Sequence, residues 1–166
     1  DTGGGSVIEW VSGRVPAGGF TLAGTMSFSM WCNESAMAVN AGARARVFKY
    51  NGSYTEIAGG PWNDGVEFPV TPTLTEMTWT GTPTSTTFAE NDRIVFRLYA
   101  TNVGTMGAGA AGLAYNAANA ADGDSFFQIN ENVTFKSESN DTTNTGASFT
   151  DADSFGAGAV WRDTTI

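Results

Sequence analysis

A chain of 166 residues is long enough to bury a real core in one domain without disulfide staples. Its 8 Lys and Arg against 17 Asp and Glu give a formal charge of −9, which opposes binding to a phosphate backbone. The absence of histidine removes the usual general base and the commonest metal ligand, and a lone cysteine, Cys32, excludes an internal disulfide or a Cys-based zinc cluster.

Arg44, Arg46 and Lys49 are the one compact basic run, so no direct nucleic-acid partner is expected. No segment approaches the roughly 18 apolar residues of a membrane helix, and no membrane partner is expected. The opening "DTGGGS" has nothing of a signal peptide, and a start at Asp1 reads as a processed or trimmed product.

Residues 1–5 read as a flexible N-terminal arm, because three consecutive glycines are entropically costly to order. "SVIEWVSGRV" supplies a first short strand; neither of its faces is purely polar, so cover on both sides is expected. After the turn "PAGG", the segment "FTLAGTMSFSMWC" alternates Met26, Phe28, Met30 and Cys32 against Thr25, Ser27, Ser29 and Trp31, the pattern of a strand with one face on a core. Cys32 then reads as a buried thiol. "NESAMAVNAG" is a loop or one helical turn.

"ARARVFKYNGSYTEI" reads as a hairpin. Asn51-Gly52 is the preferred pair for a type I′ turn, with Ala43, Ala45 and Val47 inward and Arg44 and Arg46 outward. "AGGPWNDGVEFPVTPT" is irregular, with a brief strand at Val66 to Phe68. "TEMTWTG" is a Thr-rich strand opposing Met77 and Trp79 to Thr78 and Thr80. "FAENDRIVFRLYATNVG" turns at Glu90 to Arg93 into a long central strand, with Ile94, Phe96, Leu98 and Ala100 inward and Val95, Arg97, Tyr99 and Thr101 outward.

Gly-rich "GTMGAGAAGLAY" favours a loop and a short strand at Leu113 to Tyr115 over a helix. "SFFQINENVTFKSE" gives a last β pair or one bulged strand, with Phe127, Ile129, Val133 and Phe135 as core. Residues 139–166 lose periodicity and hold isolated Phe149, Phe155, Val160 and Trp161. They are either a disordered tail or, as we read them, an extended C-terminal arm pinned by those anchors. About eight short strands and no convincing helix predict an all-β chain: a single-domain antiparallel β-sandwich of jelly-roll type over 6–138, with extended terminal arms.

Chemistry is thinly signalled. Ser-His-Asp and Cys-His sets are impossible without histidine, and no G-x-S-x-G elbow occurs. Glu9, Glu67, Glu76 and Glu131 lie in or beside strands, but nothing in the sequence brings two of them across a cleft as glycoside hydrolysis requires. No catalytic residue and no cofactor is therefore expected. Asp122 and Asp124 in "ADGDS", and Asp151 and Asp153 in "DADS", are oxygen donors that a calcium ion accepts, yet turn chemistry explains both runs without a metal. Sequons at Asn33, Asn51, Asn132 and Asn140 are no excess for this composition. A polysaccharide module would use Trp31, Tyr50 and Tyr54. Assembly is the better-supported class: arms gain affinity by covering a neighbour, with Trp31, Tyr99, Phe149, Phe155 and Trp161 as candidate interface anchors.

The chain from about Leu22 to Phe135, most plainly "GARARVFKYNGSYTEI", "MTWTGTPTSTTFAENDRIVFRLYATNVG" and "GDSFFQINENVTF", resembles β-rich structural proteins of tailed bacteriophages. The resemblance implies a non-enzymatic virion part with a jelly-roll or related sandwich fold. The group includes capsid decoration and tail-associated proteins, and the resemblance does not specify which part of the virion; our expectation is a capsid decoration or cement protein on the particle surface, contacting the major capsid protein or other virion proteins. A homo-oligomer, with a trimer as the expected form, goes with that role. An extracellular fibre subunit shares the arms and predicts linear polymers instead.

Overall fold

A computed structural model describes residues 7–105, 107–114, 126–136 and 159–162. The chain is an all-β, multi-sheet antiparallel domain. The first sheet holds β1 (Val7–Val11), β8 (Arg93–Asn102), β4 (Ala41–Tyr50) and β5 (Tyr54–Glu56), in that order. The second holds β11 (Ala159–Arg162), β10 (Phe126–Ile129), β3 (Met26–Glu34) and β6 (Thr75–Gly81), with β9 (Ala111–Ala114) also paired to β3. Two short strands, β2 (Phe20–Leu22) and β7 (Thr86–Phe88), make a separate ribbon.

Side-chain alternation puts one face of each large sheet into a shared core. On β3 the inward set is Met26, Phe28, Met30 and Cys32; on β4 it is Ala41, Ala43, Ala45 and Val47; on β8 it is Ile94, Phe96 and Leu98. Phe28 is the junction. It stands opposite Trp79 of β6 and Phe127 of β10 in register, with ring centroids 5.2 Å away in each case. Across the core it meets Phe96 of β8 at 5.6 Å, and Phe96 stacks on Phe127 at 4.9 Å and tilts against Trp10 at 5.1 Å. Trp62 closes the cluster 6.1 Å from Phe28. Rings offset or tilted at these separations each add about 0.5–1.5 kcal/mol beyond the area they bury. Gly81 is required beside them, because a Cβ there would collide with the Trp62 indole.

Several expectations are corrected. The segment from Phe20 to Cys32 is two strands, with β2 diverted to pair with β7. The β4–β5 connection has three residues, Asn51 to Ser53, and pairs Tyr50 with Tyr54. Gly52 takes φ 102° while Asn51 stays out of the positive-φ region, so the turn is not the two-residue type I′. Val66 to Phe68 makes only an isolated bridge, Glu67 to Gly42. Of the two readings of "NESAMAVNAG", a loop or one helical turn, the structure has the turn, a short 3-10 helix at Met37–Val39. On β1, Trp10 packs on the core but Glu9 and Val11 are exposed, so cover is one-sided. Ala100 is exposed rather than core although its partner Ala43 on β4 is buried, since the described pairing of β1 with β8 stops at Tyr99 and leaves that edge of β8 uncovered. Val133 is buried and Phe135 packs on the core, as expected, but from an irregular stretch after β10.

Candidate interaction surface

The outward face of the β1-β8-β4-β5 sheet carries an unusual set of side chains. By register its rows are Tyr99 and Arg44; Glu9, Arg97 and Arg46; Val11, Val95, Phe48 and Glu56; and Arg93, Tyr50 and Tyr54. Val95, Phe48 and Tyr99 are buried here although they face away from the main core. Arginine stems and tyrosine rings lie over them. The Arg97 guanidinium sits 4.8 Å from the Phe48 centroid and 4.2 Å from that of Tyr54, and those of Arg44 and Arg46 stand 5.8 and 5.5 Å from Tyr99. Arginine suits this position because its planar, weakly hydrated cation stacks on rings while donating at its edge.

Arg97 donates from Nε to Glu9 Oε2 at 2.5 Å, and Arg46 Nε lies 3.5 Å from Glu56 Oε1. Burial acts to lower the Arg97 pKa, but its bonds to Glu9 and Tyr99, with the charges behind them, outweigh that and raise it. Within these strands four arginines face two glutamates, a local positive excess in a chain of charge −9. Half of the eight cations of the chain stand on this one face. Tyr54 is 49% exposed and its ring meets that of Tyr50 at 4.8 Å. The face thus offers exposed aromatic edge, pre-ordered guanidinium groups and a rigid sheet beneath.

Of the expected anchors, Tyr99 is only 8% exposed and holds up the arginine layer instead of projecting from it. Trp31 is half-buried on the outward face of β3, in register with Glu76 and Ala114 on the other large sheet. It therefore does not join Tyr50 and Tyr54 in one aromatic platform. Trp161 stands opposite Phe127 in β11, so the backbone of that part of the C-terminal segment is paired within its own chain. Phe149, Phe155 and the acidic runs with Asp122, Asp124, Asp151 and Asp153 lie outside the described residues.

Three of the four carboxylates singled out in the sequence are bonded. Glu9 holds Arg97; Glu76 Oε1 accepts from Ser29 Oγ at 2.7 Å; Glu131 Oε1 accepts from the amides of Ala23 and Gly24 at 2.7 and 2.5 Å. Glu67 meets Glu34, which sequence reasoning did not single out although Glu34 continues the inward parity of Met26 to Cys32. Among the described residues no three His, Cys, Asp or Glu side chains gather as a metal would need, and no helix is long and apolar enough to cross a membrane. A cleft of about 530 Å³ is lined by Asn33, Ser35, Val70, Thr71, Pro72 and the stretch 110–112, and the Asn33 side-chain amide donates to Thr71 O at 3.0 Å beside it. Neither a protein-family model, nor a characterised protein, nor a solved structure matches this chain.

Proposed function

We propose that the chain is a non-enzymatic structural protein of a virion, a capsid decoration or cement protein that stabilises the particle through added subunit contacts. The arginine and tyrosine face of the four-stranded sheet is the observation that carries this reading. Interfaces concentrate arginine and aromatic residues, and a face whose side chains are already held by stacking loses little entropy on docking. The resemblance of the strand and turn pattern to bacteriophage structural proteins supports the same class. On this reading the two large sheets are the layers of a jelly-roll-type sandwich, a view supported by the chain's repeated passage between them: β1 in one, β3 in the other, β4 and β5 back in the first, β6 again in the second. The partner is the major capsid protein or another virion protein, the protein sits on the particle surface, and copies of the chain associate, with a trimer as the expected form.

Fractionation of particles tests the proposal. The chain should band with purified virions and stay with them through washing at moderate salt. A chain recovered only as soluble monomer, absent from virions, would sink it.

A second reading rests on the close Tyr50–Tyr54 pair, with Tyr54 half exposed: a carbohydrate-binding face in which sugar rings stack on tyrosine. It predicts glycan capture that is lost in Tyr54→Ala, whereas the cement reading predicts no glycan capture at all.

A further inference from the structure

Glu34 is fully buried at the end of β3, and its Oε2 accepts from the amide of Ala41 at 3.0 Å. Its other oxygen, Oε1, is buried with no donor, and so is Oε1 of Glu67. Both side chains come together at the start of β4, where Glu34 bonds the Ala41 amide and Glu67 bridges to Gly42, and the Glu34 carboxyl acts directly on that of Glu67. Two ionised carboxylates cannot hold that geometry, because each repels the other and neither has a proton to donate. The backbone around them is tightly built. Phe68 N donates to Ala41 O at 2.8 Å, Glu34 N donates to Pro69 O at 2.9 Å, and a Cβ on Gly42 would come within 2.5 Å of Val66 O.

We propose that Glu34 and Glu67 share one proton, and that this carboxyl–carboxylate bond is a latch holding the segment 66–70 onto the ends of β3 and β4. Val70 and the two residues after it line the cleft with Asn33 and Ser35, so the latch, together with the bond from the Asn33 amide to Thr71 O at 3.0 Å, holds that segment at the cleft.

Burial, then the charge of Glu34 and the bond to it, raise the Glu67 pKa above its ordinary value. Among the described residues, few charged groups face the pair from the elements packed against it. On β4 the first charge after Ala41 is Arg44, whose guanidinium is over Tyr99; the end of β8 and the turn after it present Thr101, Asn102, Val103 and Gly104. The 3-10 helix and β9 carry no charge, Asp64 lies exposed before the segment, and Glu76 of β6 is bonded to Ser29.

The sign follows. The latched form keeps its proton to higher pH than the open form, so the latch is fully present below the ordinary Glu range of about 4.3. Its stability falls as pH rises from there and is lost above the raised value. With one proton linked, opening grows by up to tenfold per pH unit inside that window and levels off beyond it.

The test is hydrogen exchange at the Phe68 amide between pH 4 and 8, in chelator-treated protein and corrected for intrinsic exchange chemistry. Opening at Phe68 should rise through the window while amides of Val47 and Phe96, in the sheet centre, do not. Glu67→Gln, whose amide donates permanently to Glu34, should abolish the rise. Opening that is independent of pH, an equal rise in Glu67→Gln, or protection that vanishes on chelation instead of with pH would overturn the proposal. Should Glu67→Gln fail to fold, carboxyl NMR shifts of the unmodified protein decide it: one of the pair must stay protonated above the ordinary range, and normal titration of both refutes the latch.

Discussion

Replacing Phe28 by alanine removes the ring through which the two large sheets meet. Phe28 is 2% exposed and touches four rings, two beside it on the neighbouring strands β6 and β10, one on β8 across the core, and Trp62. Phe→Ala in a core costs about 3–5 kcal/mol, and the upper half of that range applies where the surroundings cannot collapse into the hole. Collapse is obstructed here, since Phe127 and Phe96 are already stacked on each other at 4.9 Å and Trp79 is fixed by its register opposite Phe28. We expect a loss of about 4 kcal/mol, against a total of roughly 5–15 kcal/mol for a domain of ordinary stability. Urea unfolding followed by tryptophan fluorescence measures it, with an unchanged slope showing that the denatured state is unaltered. Phe28→Leu keeps much of the volume and should cost about 1.5 kcal/mol. A Phe28→Ala loss no larger than that of Phe28→Leu would refute the junction argument, because the rings would then close the gap freely.

Arg97→Ala should destabilise by about 1 kcal/mol, through lost stacking on Phe48 and Tyr54 as well as lost pairing with Glu9. A double-mutant cycle with Glu9→Ala separates the two, and the coupling with Glu9 should shrink at high salt. Gly81→Ala should cost about 1–3 kcal/mol by overpacking against Trp62, read as a lowered thermal midpoint. Burial pushes the Cys32 thiol up to about 12, so it stays neutral at pH 8 and should react with a thiol reagent only as fast as the domain unfolds. Rapid labelling in the native state would contradict the placement of Cys32 in the core.

Alternation made much of the fold legible. Met26 to Cys32 on β3 and Ile94 to Leu98 on β8 declare a buried face because period-2 patterning and one-sided burial are the same fact seen twice. The pattern fails where burial is two-sided or stops early. Val95 and Tyr99 look outward by parity and are covered all the same, because Arg44, Arg46 and Tyr54 come from strands whose register the sequence does not specify. Ala100 looks inward and is exposed, because nothing in its own neighbourhood marks where its pairing with β1 stops. β7 has only three residues and depends for its existence on β2 being bent away to meet it, a tertiary choice. The surface itself was visible as residue types, Arg44, Arg46, Arg97 and the tyrosines, but not as a face, since β1, β8, β4 and β5 are assembled from three distant parts of the chain. Glu34 was hidden for the opposite reason: a carboxylate on an inward parity reads as a strand end until its partner Glu67 is seen beside it.

The account stands on the arginine and tyrosine face being covered when the protein is in place. Oxidative footprinting of the chain, free and bound to purified particles, measures this at Tyr54, which is 49% exposed in the free protein. The account predicts that modification of Tyr54 falls severalfold on the particle while exposed residues of the opposite sheet, such as Thr78 and Thr80, keep theirs. Equal modification of Tyr54 in both states would contradict it.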